Sequence, residues 1–159
     1  MTNQEKAKSL LERYNESDKT GQKIYWVKAS CLYQWQRDDL WQYLFHGAGT
    51  WSEFLSKLKV ATSSAQQKIK NYRFFVVKHN FKVSQLEDYD SSSLYCIAQN
   101  AEEKTKEQVM TLIGKSNDMT RDEFIAYVKG VEPCPHIETV EISETVEKCL
   151  TCKKKIHQL

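Results

Sequence analysis

Through most of the chain apolar residues recur at three- and four-residue spacing, and that period predicts helices. Residues 3–14 put Ala7, Leu10, Leu11 and Tyr14 on one face, and the apolar-free NESDKTGQ after them reads as a loop. Ser30 stands as the cap of a helix from 31 to about 45, with Gly47 and Gly49 to stop it. Its aromatics Tyr33, Trp35, Trp41, Tyr43 and Phe45 could stack on bases, but their spacing beside Leu40 and Leu44 assigns them to the core. Thr50, followed three residues later by Glu53, predicts a capped helix with Phe54, Leu55 and Leu58 inward. Val60 reads as a buried turn residue, and Thr62 or Ser63 as the cap of the next helix. On that helix Ala65, Ile69, Tyr72 and Val76 fall at spacings of four, three and four, so Ser63, Gln66, Gln67, Lys70 and Asn71 face away from the core.

The pattern changes at RFFVVK, where residues 74–77 are apolar on every side, as in a segment buried between two layers. Beyond it, SQLEDY predicts a short helix. Asp90 caps a helix with Leu94, Ile97, Ala98 and Ala101 inward. EEKTKEQVMTLIGK turns Val109, Leu112 and Ile113 inward. Thr120 with Glu123 opens a last helix that packs Phe124, Ile125 and Val128 and stops at Gly130. The expected fold class is therefore mainly α, with residues 1–131 forming a helical domain.

Composition agrees with a folded chain of 159 residues, 40% apolar and 28% charged. No apolar stretch of signal-peptide or membrane-spanning kind occurs, so a cytoplasmic protein without membrane contact is expected. Charge is the feature that narrows function. Between Phe54 and Leu86 the chain carries Lys57, Lys59, Lys68, Lys70, Arg73, Lys78 and Lys82 and no acidic residue, although the whole chain is only +2. The positive field is thus concentrated in one stretch, which points to a polyanion.

Within that stretch, LSKLKVATSSAQQKI resembles the helix-turn-helix of DNA-binding proteins. Leu58, Lys59, Val60, Thr62, Ser63, Ser64 and Ala65 match the family's leucine, turn, β-branched residue, Ser/Thr cluster and small apolar residue. Lys59 stands where that family often has glycine, and Leu55 where it often has a small residue. The resemblance implies a recognition helix over about 62–73 in the major groove of DNA. From the residues themselves, Lys57, Lys59, Ser63, Gln66, Gln67, Lys68, Lys70, Asn71 and Arg73 supply what such a face needs. Gln and Asn can pair with adenine, and Lys or Arg with guanine or phosphate. RNA shares the electrostatics and stays open as a partner.

After Glu132 and Pro133 the composition changes, and residues 132–159 read as a separate tail. Cys134 and His136 are followed by twelve residues and then by Cys149 and Cys152 as a C-x2-C pair, a ligand set suited to tetrahedral zinc. Val140 and Ile142 alternate as in a strand, KKKIHQL offers a second, and the whole resembles a small zinc-binding β-hairpin or ribbon. His157 competes with His136 for the fourth position. Four protein ligands leave no open coordination site, so the zinc is expected to be structural. By contrast, Cys31 and Cys96 sit among apolar residues and read as small core side chains.

No catalytic residues emerge. The four histidines have no nucleophile pattern beside them, there is no phosphate-binding G-x-x-x-x-G-K-S/T run, and an enzyme is not expected. The sequence therefore implies a sequence-specific, DNA-binding regulatory protein with a zinc-stapled tail, in size and module pairing similar to regulators of phage or mobile elements. The alternative is a protein-interaction adaptor or inhibitor that docks on a larger machine.

Overall fold

A computed structural model of the chain describes residues 1–17, 23–45 and 49–131, together with the backbone alone of 139–143, 146–149 and 155–157. The described residues are mainly helical. Helix α1 (Asn3–Glu16) opens on a capping box in which the Thr2 hydroxyl accepts from the Glu5 N–H at 3.2 Å and Glu5 accepts from the Thr2 N–H at 2.6 Å. It buries Ala7, Leu10 and Tyr14 against α2.

Helix α2 runs Lys23–Arg37, so the expectation of a helix from 31 to about 45 is corrected at both ends. Ser30 is no cap. It is buried inside α2, where its hydroxyl accepts from Gln34 Nε2 at 3.0 Å. The helix stops because Asp39 takes a φ of 51°, after which Leu40–Tyr43 winds as a 3-10 turn. Leu40 and Leu44 remain buried through this change, so the apolar spacing continues where the α-helix does not.

Helix α3 (Trp51–Lys57) is capped by Thr50, whose hydroxyl accepts from the Glu53 N–H at 3.2 Å. The Glu53 carboxylate turns to the Gly49 N–H at 2.7 Å instead of completing the box on Thr50. Phe54 is the hub of this helix. Trp35, Trp41, Phe45 and Trp51 surround it, with ring centroids from 5.2 to 6.3 Å away.

The turn out of α3 is a Schellman motif. The Lys59 N–H donates to the Ser56 carbonyl at 3.0 Å, the Val60 N–H donates to the Leu55 carbonyl at 2.9 Å, and Lys59 itself has a φ of 58°. Left-handed backbone of this kind is where glycine would be favoured, and a lysine there is strained. Helix α4 (Thr62–Asn71) then starts from Ala61, with no side-chain cap at all, in place of the cap expected from Thr62 or Ser63.

Helix α4 continues unbroken into a π-helical segment, Tyr72–Lys78. This one rod joins two cores. Ala65 and Ile69 pack with α1, α2 and α3, whereas Phe74 and Phe75 pack with the helices that follow. The π segment ends where the His79 N–H reaches the Phe74 carbonyl at 3.1 Å and the Phe81 N–H reaches that of Phe75 at 2.9 Å. Residues 74–77 are not all internal, since Val76 is half-buried and Val77 is 50% exposed.

The second core is closed by α5 (Ser91–Asn100), α6 (Lys106–Lys115) and α7 (Arg121–Lys129). Each has its local start signal. Asp90 accepts from the Ser93 N–H at 2.8 Å, Gln108 from the Thr105 N–H at 2.9 Å, and Glu123 from the Thr120 N–H at 2.8 Å. Gly130, with a φ of 66°, ends α7 as expected. Leu94, Ile97, Val109, Ile113 and Phe124 fill the interior, each contributing about 1.5–3 kcal/mol relative to exposure. Between Lys82 and Asp90 only Val83–Gln85 is helical, as a 3-10 turn. Cys31 and Cys96 are buried thiols, as the sequence implies, and burial pushes the Cys31 thiol up to about 11.

In the tail, the backbone of β1 (Thr139–Ser143), β2 (Val146–Cys149) and β3 (Lys155–His157) pairs antiparallel in that order. Thr139 lies opposite Cys149, and Val146 opposite His157. Among the described residues no helix is long and apolar enough to cross a membrane.

Candidate nucleic-acid interface

The polar residues of α4 and of the π segment's first turn form two stripes, not one. Ser63, Gln66, Lys70 and Arg73 are exposed and follow one another at spacings of three, four and three, so they share a face. Lys57 and Lys59 are exposed at the end of α3 and in the turn before this face. Among the described residues, neither Lys70 nor Arg73 has a hydrogen-bond or ion-pair partner. No carboxylate neutralises them at contact distance, so their field reaches solvent.

Ser64, Gln67, Lys68 and Asn71 form the second stripe, at spacings of three, one and three. It faces the protein. Gln67 Nε2 donates to the Ser91 carbonyl at 3.1 Å. Lys68 is half-buried, donates to the Ser64 hydroxyl at 2.7 Å and lies 5.3 Å from the Tyr25 ring centroid. Burial, and then the charge of Lys28, lower the Lys68 pKa. Asn71, expected on the outward face, is fully buried. Its Nδ2 donates to the Tyr25 hydroxyl at 2.8 Å and to the Ser91 carbonyl at 3.0 Å. The start of α5 packs on this side of α4, where the Asn71 amide serves the Tyr25 hydroxyl and shares the Ser91 carbonyl with Gln67, while its own Oδ1 is buried with no hydrogen-bond partner among the described residues. Burial also pushes the Tyr25 phenol well above its usual range, partly offset by the Asn71 hydrogen bond. The expected reading set therefore loses Asn71, and Gln67 and Lys68 already have partners within the fold.

Beside the exposed stripe lies a groove of about 510 Å³ between α2 and the α4 rod. Tyr33 of α2 forms one wall, and Gln66, Lys70, Arg73, Val77 and Lys78 form the other. At its end Lys78 holds Glu102, with Nζ 3.0 Å from the carboxylate and a second hydrogen bond to the Glu102 carbonyl. That hydrogen bond from Lys78 holds the Glu102 carboxyl below its ordinary range, with smaller contributions from Lys70 and Arg73. Arg37 stacks 5.4 Å from the Tyr33 ring centroid and is itself paired with Asp38 at 2.7 Å. Tyr33 and Glu102 escape a sequence reading because they converge on the groove from distant parts of the chain. Lys78 was visible as part of the acid-free run.

Of the expected zinc ligands, Cys134, His136 and Cys152 lie outside the described residues, and Cys149 is described by its backbone at the end of β2. Among the described residues no cluster of three or more His, Cys, Asp or Glu side chains is placed to hold a metal ion. His79, at the end of the π segment, packs 4.6 Å from Phe74 with a buried, unpartnered Nε2. Burial and the neighbouring Lys78 lower its pKa. No protein-family model, curated protein or solved structure matches the chain, so its function is argued from this geometry alone.

Proposed function

We propose that the protein is a non-enzymatic, sequence-specific DNA-binding regulator in which α3, the turn at Lys59 and α4 act as a helix-turn-helix. The stripe Ser63, Gln66, Lys70 and Arg73 enters the major groove. One observation carries this reading: two cations with no hydrogen-bond or ion-pair partner among the described residues, an amide and a hydroxyl share one exposed helix face in an acid-free run of chain. Such a face can neutralise phosphate through Lys and Arg and read base edges through Gln and Arg. The left-handed backbone at Lys59 supports the turn, because the helix-turn-helix glycine suits that conformation. The uncapped start of α4, with Thr62, Ser63 and Ser64 in its first turn and no acidic residue, suits a phosphate oxygen.

In this reading the tail, residues 132–159, is a structural zinc module held by Cys134, His136, Cys149 and Cys152. His157 competes with His136 for the fourth position: Thr139, three residues after His136, lies opposite Cys149, and His157 lies opposite Val146, three residues from Cys149 along β2. A tail this short buries little apolar surface, so metal binding would supply folding free energy on the order of 10 kcal/mol. Zinc at one equivalent per chain, lost in Cys149→Ser, is the expected metal analysis.

Fluorescence anisotropy with duplex DNA at low salt tests the interface. Wild-type protein binds, and the double variant Lys70→Glu, Arg73→Glu does not. Absence of wild-type binding overturns the reading. Capture of a protein partner that survives this charge reversal would favour the adaptor reading, and tighter binding of an RNA hairpin would exchange DNA for RNA.

A further inference from the structure

A duplex meets a helix on its outer face, yet the exposed stripe of α4 also forms one wall of a concavity that paired bases cannot enter. The groove between α2 and the α4 rod combines three kinds of chemistry. Lys70, Arg73 and Lys78 bring three cations against the single carboxylate of Glu102, which Lys78 already holds. Tyr33 offers the part of its half-buried ring that Tyr72 and Arg37 leave uncovered, and Val77 offers exposed apolar surface above the buried Ile69 and Phe74. Gln66 adds an amide with both donor and acceptor.

Those features complement a ligand that has an anionic end, a flat face and a hydrogen-bonding edge. An acyl chain would waste the cations, and a bare anion would waste the ring and the apolar floor. The volume of about 510 Å³ lies within the range of small-ligand pockets. We infer that the groove binds one nucleoside phosphate, with its base against Tyr33 and Val77, its edge at Gln66 and its phosphate between Lys70, Arg73 and Lys78. This inference rests on the proposal that the α4 stripe meets nucleic acid, and it names what the stripe adds to a duplex surface. The nucleoside phosphate has two sources, an unpaired nucleotide within a strand or a free mononucleotide. A base must leave its stack to enter, so a nucleotide that is already unpaired pays least.

The test compares a fully paired DNA hairpin with the same hairpin carrying one bulged nucleotide, and adds adenosine 5′-monophosphate as a separate ligand. Expected is binding of the bulged hairpin about tenfold tighter than the paired one, within what one stacked base contributes. Val77→Trp fills the groove from an exposed position, so it should erase that preference, read as the ratio of bulged to paired affinity on the same variant. Tyr33→Leu, checked for intact folding by thermal melting, should reduce the preference as well. If the mononucleotide binds, and Val77→Trp blocks it, the free nucleotide is the source. If only the bulged strand is favoured, the strand is the source. Equal affinity for both hairpins, with no mononucleotide binding, overturns the inference and leaves the duplex reading standing. Failure to bind either hairpin, with mononucleotide binding that Val77→Trp blocks, overturns the duplex reading and keeps the groove.

Discussion

Helix α4 and its π-helical continuation are one rod, yet they divide the work differently. Over 62–71 the buried residues are Ala65, Ile69 and Asn71, and the exposed ones carry hydroxyl, amide and cation. Over 72–78 two phenylalanines turn inward, and the outward side carries Arg73, Val77 and Lys78. The first part presents polar chemistry on its exposed side and packs closely on α2 and α5. The second anchors the rod in the second core, and the change of helix type lets one element serve both. The exposed stripe can therefore be altered without loosening the fold, provided the two polar stripes are kept apart.

The sharpest way to break this comparison is at Phe75. Removal of its fully buried ring in Phe75→Ala should cost about 3–5 kcal/mol in urea unfolding, whereas Val77→Ala, two residues on, should change stability by less than about 0.5 kcal/mol. Comparable losses would mean that the boundary between anchor and surface is misplaced. Next in size is Asn71→Leu, which strands the Tyr25 hydroxyl and removes one of two amide donors to Ser91. A loss of about 1–3 kcal/mol is expected, with DNA affinity of the folded protein unchanged. Weaker DNA binding without lost stability would return Asn71 to the reading face. Lys59→Gly should gain about 1 kcal/mol by relieving left-handed strain, a gain visible as a higher unfolding midpoint.

The smallest effect is at His79. Its folded pKa lies below the ordinary 6.5, so between that lowered value and 6.5 the unfolded chain holds more protons. Stability should be complete above pH 6.5, fall as pH drops through it, and level off below the folded pKa. In urea midpoints taken across pH 5 to 7.5, His79→Gln should flatten this component of the slope. An unchanged slope would show that His79 is not its source.

What the sequence made legible was local. The caps at Thr50, Asp90 and Thr120 and the stop at Gly130 depend on neighbours within four residues, and they stand as the residue types imply. Ala65 and Ile69 obey the helical period and are buried. Asn71 has no such local signal, since its partners lie 46 and 20 residues away at Tyr25 and Ser91. The same distance hid Tyr33 and Glu102 from the groove. The end of α2 differs from expectation for another reason: Leu40 and Leu44 stay buried across the 3-10 turn, and apolar spacing cannot register a change of helix type. The cysteine spacing of the tail is also local chemistry, and three of its four expected ligands fall outside the described residues.

The exposed stripe, and not the buried one, is proposed to meet phosphate. The salt dependence of duplex binding tests it most directly. For wild-type protein, log affinity should fall against log salt with a slope of about −5, as expected for five or six cations at phosphate. Lys70→Ala with Arg73→Ala should make that slope shallower by about 2, while Asn71→Leu leaves it unchanged. A slope that the Lys70 and Arg73 substitutions do not alter would contradict the account.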